Sequence, residues 1–138
     1  MRVLYLFCER FGLETYRKAR PEVEDDERRF KIDNAVVCLV HAEEDDGNDE
    51  VTKLIKGAKW IAGKFDSKRI VLHYFAHLGN DEAQAANAPA LMQTARERLS
   101  TSGWEAHLMP YGYFCKLDLG VHGESLAKVY RSHGKGEG

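Results

Sequence analysis

The segment "NAVVCLVHAE", Asn34–Glu43, constrains the fold more than any other. Val36, Val37, Leu39 and Val40 make a nearly continuous apolar run, the character of a central strand covered on both faces. The period then changes. After the acidic, turn-prone "EDDGNDE", where Asn48 or Asp49 stands ready to cap a helix, Val51, Leu54, Ile55, Ala58, Ile61, Ala62 and Phe65 recur at three- and four-residue steps. That spacing predicts an amphipathic helix. "RIVLHYF", Arg69–Phe75, returns to strand character. Strand, helix and strand in the middle of the chain point to an α/β domain.

The flanks extend the pattern. "RVLYLFCE" reads as a first strand, Arg2–Cys8, and "GLETYRKA" as a second short one with Leu13, Thr15 and Arg17 on one face. "RPEVEDDERRF" is charged and aperiodic, a solvent-facing loop. A second helix is expected from about Asp81 or Ala83 to Ser102, with Pro89 requiring a kink or a late start. "SGWEAHLMPYGYFCKLDLG" predicts a short strand, a turn and a longer strand, Tyr111–Leu119. "GESLAKVYRSH" reads as a final short helix. The order β-β-β-α-β-α-β-β-α implies one α/β domain, residues 1–132, with helices packed on a mixed sheet. Residues 133–138 are expected to be a disordered tail. Nothing after Lys128 reads as the start of another domain.

Composition narrows the classes of function. A chain of 138 residues suits one domain, and 43% hydrophobic with 30% charged residues is an ordinary soluble composition. A formal charge of −2 argues against binding nucleic acid by bulk charge, and leaves room for a local site that takes an RNA end. No apolar run reaches the ~18 residues of a membrane span, and the N-terminal segment has no signal-peptide form. Cys8, Cys38 and Cys115 share no metal-like spacing, so they read as reduced thiols in a cytoplasmic protein. The six histidines form no HxxxH or HExxH pair, which argues against zinc. The acidic run lacks an EF-hand's ligand spacing. No phosphate-cradling glycine motif is present, and "GVHGES" does not place its serine in a nucleophile elbow. No cofactor is implied.

Two stretches carry candidate chemistry. In "HYFAHL", His77 follows a strand, where ligands of open α/β sheets gather. A lone histidine among apolar residues is also an ordinary packing residue. Ala76 is small enough for a substrate to approach the backbone. In "MPYGYFCKLDL", Gly112 lies between Tyr111 and Tyr113, and with Phe114 three aromatics in four positions offer stacking faces for a terminal nucleobase. The other reading is a β-bulge with core aromatics.

Taken in order, "MRVL", "VVCLVHAE", "HYFAHL" and "PYGYFCKLDLGVHGESLAKVYR" resemble the archaeal-type N-terminal editing domain of threonyl-tRNA synthetase, over nearly the whole chain. The resemblance implies a D-aminoacyl-tRNA deacylase-like fold. It implies hydrolysis of serine from tRNA meant for threonine, with the terminal ribose 2′-hydroxyl and backbone groups placing water. Proofreading of this kind is needed because one missing methyl gives a synthetic pocket only ~1–3 kcal/mol of discrimination. The implied partners are the 3′ end of aminoacylated tRNA, a second copy in a homodimer, and a threonyl-tRNA synthetase.

Carried over by residue, the resemblance puts His77 and Ala76 beside the substrate and Tyr111, Gly112, Tyr113 and Phe114 along the seryl and adenosine pocket. Two positions depart from the family. Cys115 stands where the family has lysine, with Lys116 next, and Lys128 stands where it has glutamate. On a regular strand Lys116 faces away from Tyr113 and Cys115. Lys128, from the expected last helix, is then the candidate to supply the missing ammonium. A thiolate at Cys115, activated beside Lys128, is a further possibility. The alternatives to a seryl-tRNA deacylase are a diverged, non-catalytic module binding an aminoacyl-tRNA end or acyl-nucleoside, and a deacylase of altered specificity such as toward D-aminoacyl-tRNA.

Overall fold

The computed structural model describes residues 1–79 and 86–134. The two strands expected in the first nineteen residues are one: β1 runs Arg2–Lys18 and pairs antiparallel with β2, Arg29–His41. Alternation along β1 changes sense midway. Val3, Tyr5 and Phe7 pack in the core beneath the helices, whereas Phe11 and Leu13 pack in a second core on the opposite face. A regular strand would keep these odd-numbered residues on one side. The ladder skips the pair Glu9 and Asn34, and Asn34 takes φ 55, a left-handed conformation that asparagine tolerates. The ribbon turns over there, which is why sequence alternation reads it as two segments.

Helix α1, Asn48–Lys64, links β2 to β3, Arg69–Tyr74, and β3 lies parallel to β2. Its buried stripe contains the periodic residues Val51, Leu54, Ile55, Ala58, Ile61 and Ala62. The cap is Gly47, not Asn48 or Asp49: the Glu50 carboxylate accepts the Gly47 N–H at 2.8 Å. Gly57 lets α1 close on β1, since a Cβ there would collide with the Tyr5 ring. Helix α2, Ala88–Thr101, holds Pro89 in its first turn, so the late start is the correct reading and there is no kink. An earlier start at Asp81 or Ala83 lies outside the described residues. From α2 the chain enters β4, Glu105–Leu108, parallel to β3.

The sheet runs β4-β3-β2-β1-β5, where β5 is Tyr113–Val121. The expected final helix is instead a single 3-10 turn, Ser125–Ala127, and a sixth strand, β6, Lys128–Ser132. The reason lies in β1. Strand β5 pairs with Cys8–Lys18 only, and Arg2–Leu6 would otherwise present bare backbone donors and acceptors. Strand β6 covers that edge. Past it, the His133 N–H donates to Met1 O and the Met1 ammonium to His133 O, both at 2.6 Å. The rest of the expected tail, residues 135–138, lies outside the described residues.

The single α/β domain with a mixed sheet is therefore as expected from the sequence. Strand β2 is covered on both faces, with Val36, Cys38 and Val40 under the helices and Ala35, Val37 and Leu39 in the second core. Neither α1 nor α2 supplies residues to that second core among the described residues. On that face Cys115, Leu117 and Leu119 of β5 join Met109 and Phe75 in the second core.

Candidate functional site

Beyond the carboxyl end of β3 the chain makes one 3-10 turn, Ala76–Leu78, that carries His77. The Phe75 N–H donates to Val40 O at 2.7 Å, holding this turn to the end of β2. The Phe75 and His77 rings meet edge to face at 5.1 Å. Opposite stands the start of β5. Gly112 has φ 81, and its carbonyl accepts the Ala19 N–H at 2.7 Å. A Cβ on Gly112 would meet Val23 Cγ2 at 2.6 Å, so glycine is required for both backbone and space.

A cavity of about 210 Å³ lies between these walls. Ala76, His77, Tyr111, Gly112, Tyr113, Phe114 and Cys115 all line it. Seven of the nine residues singled out in the sequence are thus brought together. The two lysines are not. Lys116 faces the other side of β5 and lines a different depression with Glu14 and Asp118. Lys128 is exposed at the start of β6, where its ammonium donates to His122 O at 2.9 Å and Glu124 O at 3.1 Å. On β1, Lys128 pairs opposite Leu6 and Cys115 opposite Thr15. At ~3.3 Å per strand residue, those stations lie far apart in the protomer. Lys128 does not line this cavity. Burial pushes the Cys115 thiol pKa up, not down.

Several wall residues were not legible. The charged stretch Arg20–Arg28, expected to face solvent, bounds a neighbouring cavity of about 670 Å³ together with Met92 and Arg96 of α2. It is tied down at its C-terminal end. The Asp26 N–H donates to Tyr113 Oη at 2.8 Å, and the Arg28 guanidinium donates to Leu108 O and Asp26 Oδ2, each at 2.8 Å. Arg20, Tyr74 and Tyr111 line both cavities, and the Tyr74 and Tyr111 rings lie 5.1 Å apart. A lone Val23 in a run of charges was the available signal. His73 is the other omission: it is 4% exposed and forms the floor of the smaller cavity.

The fold is that of a D-aminoacyl-tRNA deacylase-like α/β domain. A solved structure titled c-Myc DNA Unwinding Element Binding Protein superposes with a TM-score of 0.68 at 9% identity, covering 97% of this chain and 99% of its own. The particular family is shown by sequence. The chain belongs to the archaea-specific editing domain of threonyl-tRNA synthetase, whose family model matches residues 1–133. Among its relatives are threonine–tRNA ligases of Hyperthermus butylicus, 30% identical over 96% of this chain, and Pyrobaculum calidifontis, 29% identical over 96%. That of Thermofilum pendens is 26% identical over 96%. The match occupies 23%, 22% and 22% of those proteins, so the chain spans less than a quarter of their length.

Proposed function

We propose that this domain hydrolyses the ester of mischarged aminoacyl-tRNA, with seryl-tRNA(Thr) as the substrate. Membership of an editing-domain family supports the reaction class. The observation that carries the site is the single cavity joining the Ala76–His77 turn to Tyr111–Cys115. In this reading the aminoacyl group enters the smaller cavity, and the adenosine extends across Tyr111 toward the larger one. Tyr74 and Tyr111 supply faces for the base. Water attacks the ester carbon with help from the ribose 2′-hydroxyl and nearby backbone amides, and the tRNA hydroxyl leaves with a proton. His77 positions the substrate. This mechanism uses no thiolate step, in keeping with the burial that raises the Cys115 pKa. The domain acts in the cytoplasm on the 3′ end of tRNA, as a homodimer, beside or within a threonyl-tRNA synthetase.

A second reading is a non-catalytic module that holds an aminoacyl-tRNA end. It is favoured by one observation: Lys116 and Lys128, the two lysines near where the resemblance expects a lysine and a glutamate, both lie off the cavity. Incubation with seryl-, threonyl- and D-aminoacyl-tRNA separates the readings. Selective loss of the seryl ester is the expected outcome. Protection of the ester from spontaneous hydrolysis supports the binding module, and selective loss of the D-aminoacyl ester means altered specificity. No effect on any of them removes the proposal.

A further inference from the structure

His73 is a polar group in an apolar place. It sits on β3 just before the turn that carries His77, and it is the buried member of a lining whose other residues are half-buried or exposed. Phe75, Cys115 and Leu117 line the same cavity, and the Phe75 ring centroid is 6.3 Å away. Its Nδ1 is buried with no hydrogen-bond partner among the described residues. Buried polar atoms are almost always paired, and one left alone in the wall of a cavity calls for a partner that enters from outside.

We propose that His73 sets specificity in this pocket by hydrogen-bonding the side-chain hydroxyl of the aminoacyl group. The proposal rests on the deacylase reading above, and adds to it a residue that reads the side-chain hydroxyl, which serine and threonine share and alanine lacks. Several features converge on a hydroxyl. Burial holds the ring neutral, with its pKa lowered to about 4. A neutral imidazole has one donor and one acceptor and no charge to offer a carboxylate. A hydroxyl donates and accepts, so it pairs with either tautomer. A methyl in the same place leaves the ring unpaired, and a site built around a hydrogen bond rejects the analogue that lacks it. The cavity, about 210 Å³, suits a small side chain.

The test compares deacylation of seryl- and alanyl-tRNA by the wild-type protein and by His73→Phe. The wild type is expected to prefer the seryl ester. His73→Phe is expected to lose about ten- to a hundred-fold in kcat/KM for the seryl ester, the range of one hydrogen bond left unmade, with the alanyl rate little changed. The melting temperature should stay level or rise, since an unpaired buried polar group is replaced by an apolar one; His73→Leu is read instead if the Phe variant does not fold. If both esters slow together, or the seryl preference survives, His73 only packs and the proposal is overturned while the deacylase reading stands. If the wild type cleaves neither ester, the deacylase reading fails. His73 is then judged by calorimetry with non-hydrolysable 3′-amide analogues of seryl- and alanyl-adenosine. A seryl preference abolished in the variant supports it; no preference, or no binding, overturns it.

Discussion

At the scale of single residues, His73, His77 and Cys115 face the same space in different states. Burial lowers the His73 pKa from 6.5 to about 4. In the unfolded chain the ring titrates near 6.5, so between these values the unfolded state binds more protons than the folded one. The stability this neutral ring preserves is complete above about pH 6.5 and is lost as pH falls toward 4, amounting to about 3 kcal/mol. Urea midpoints of wild type and His73→Phe, measured from pH 7 to 4, should diverge on acidification; a constant difference would contradict the assigned burial effect. His77 is exposed and beside the proposed substrate. His77→Ala should lower kcat/KM for the seryl ester by about tenfold, the loss of one positioning contact. An unchanged rate returns it to a packing role. Cys115 should alkylate more slowly than a free thiol at neutral pH and speed up as pH rises, because its pKa is raised. Mass spectrometry of iodoacetamide adducts reads this site by site. Of these three, His77 and Cys115 were legible because a motif framed them. His73 was hidden in the apolar run "RIVLHYF", where nothing in the sequence says that the floor of a cavity begins.

At the scale of elements, the helices were the most legible parts. The α1 stripe follows from 3.6-residue periodicity, and Pro89 marked the first turn of α2. The strands of the ribbon were misread because alternation inverts at Glu9 and Asn34, a local irregularity with no composition signature. The last element was misread for another reason. "SLAKVYRS" has no strong preference of its own, and the open edge of β1, over a hundred residues away in sequence, decides it. Two predictions belong here. Gly112→Ala places a Cβ against Val23 and forces alanine to φ 81; it should cost about 1–3 kcal/mol and reduce deacylation by loosening the Arg20–Arg28 wall. A thermal melt equal to wild type would refute the account of this turn. Lys128→Met removes the ammonium bonded to His122 O and Glu124 O, distant from the cavity. Deacylation should be unaffected, and a large loss would mean that this lysine reaches a site by a route absent from the protomer.

At the scale of the whole molecule, the two walls of the cavity come from strands that are not neighbours. Strands β3 and β5 are separated by β2 and β1 in the sheet. At ~4.8 Å per step, three steps in a flat sheet would hold them ~14 Å apart, side by side. Their residues nevertheless enclose a space of about 210 Å³. Sheet curvature is thus the gauge of the pocket, and the overturned ribbon at Asn34 helps to fix it although Asn34 does not line the cavity. If the domain sieves amino acids as proposed, the coiling of its strands sets the spacing of the walls in which His73 and its neighbours sit, and substitutions that never touch the cavity would alter which ester it accepts.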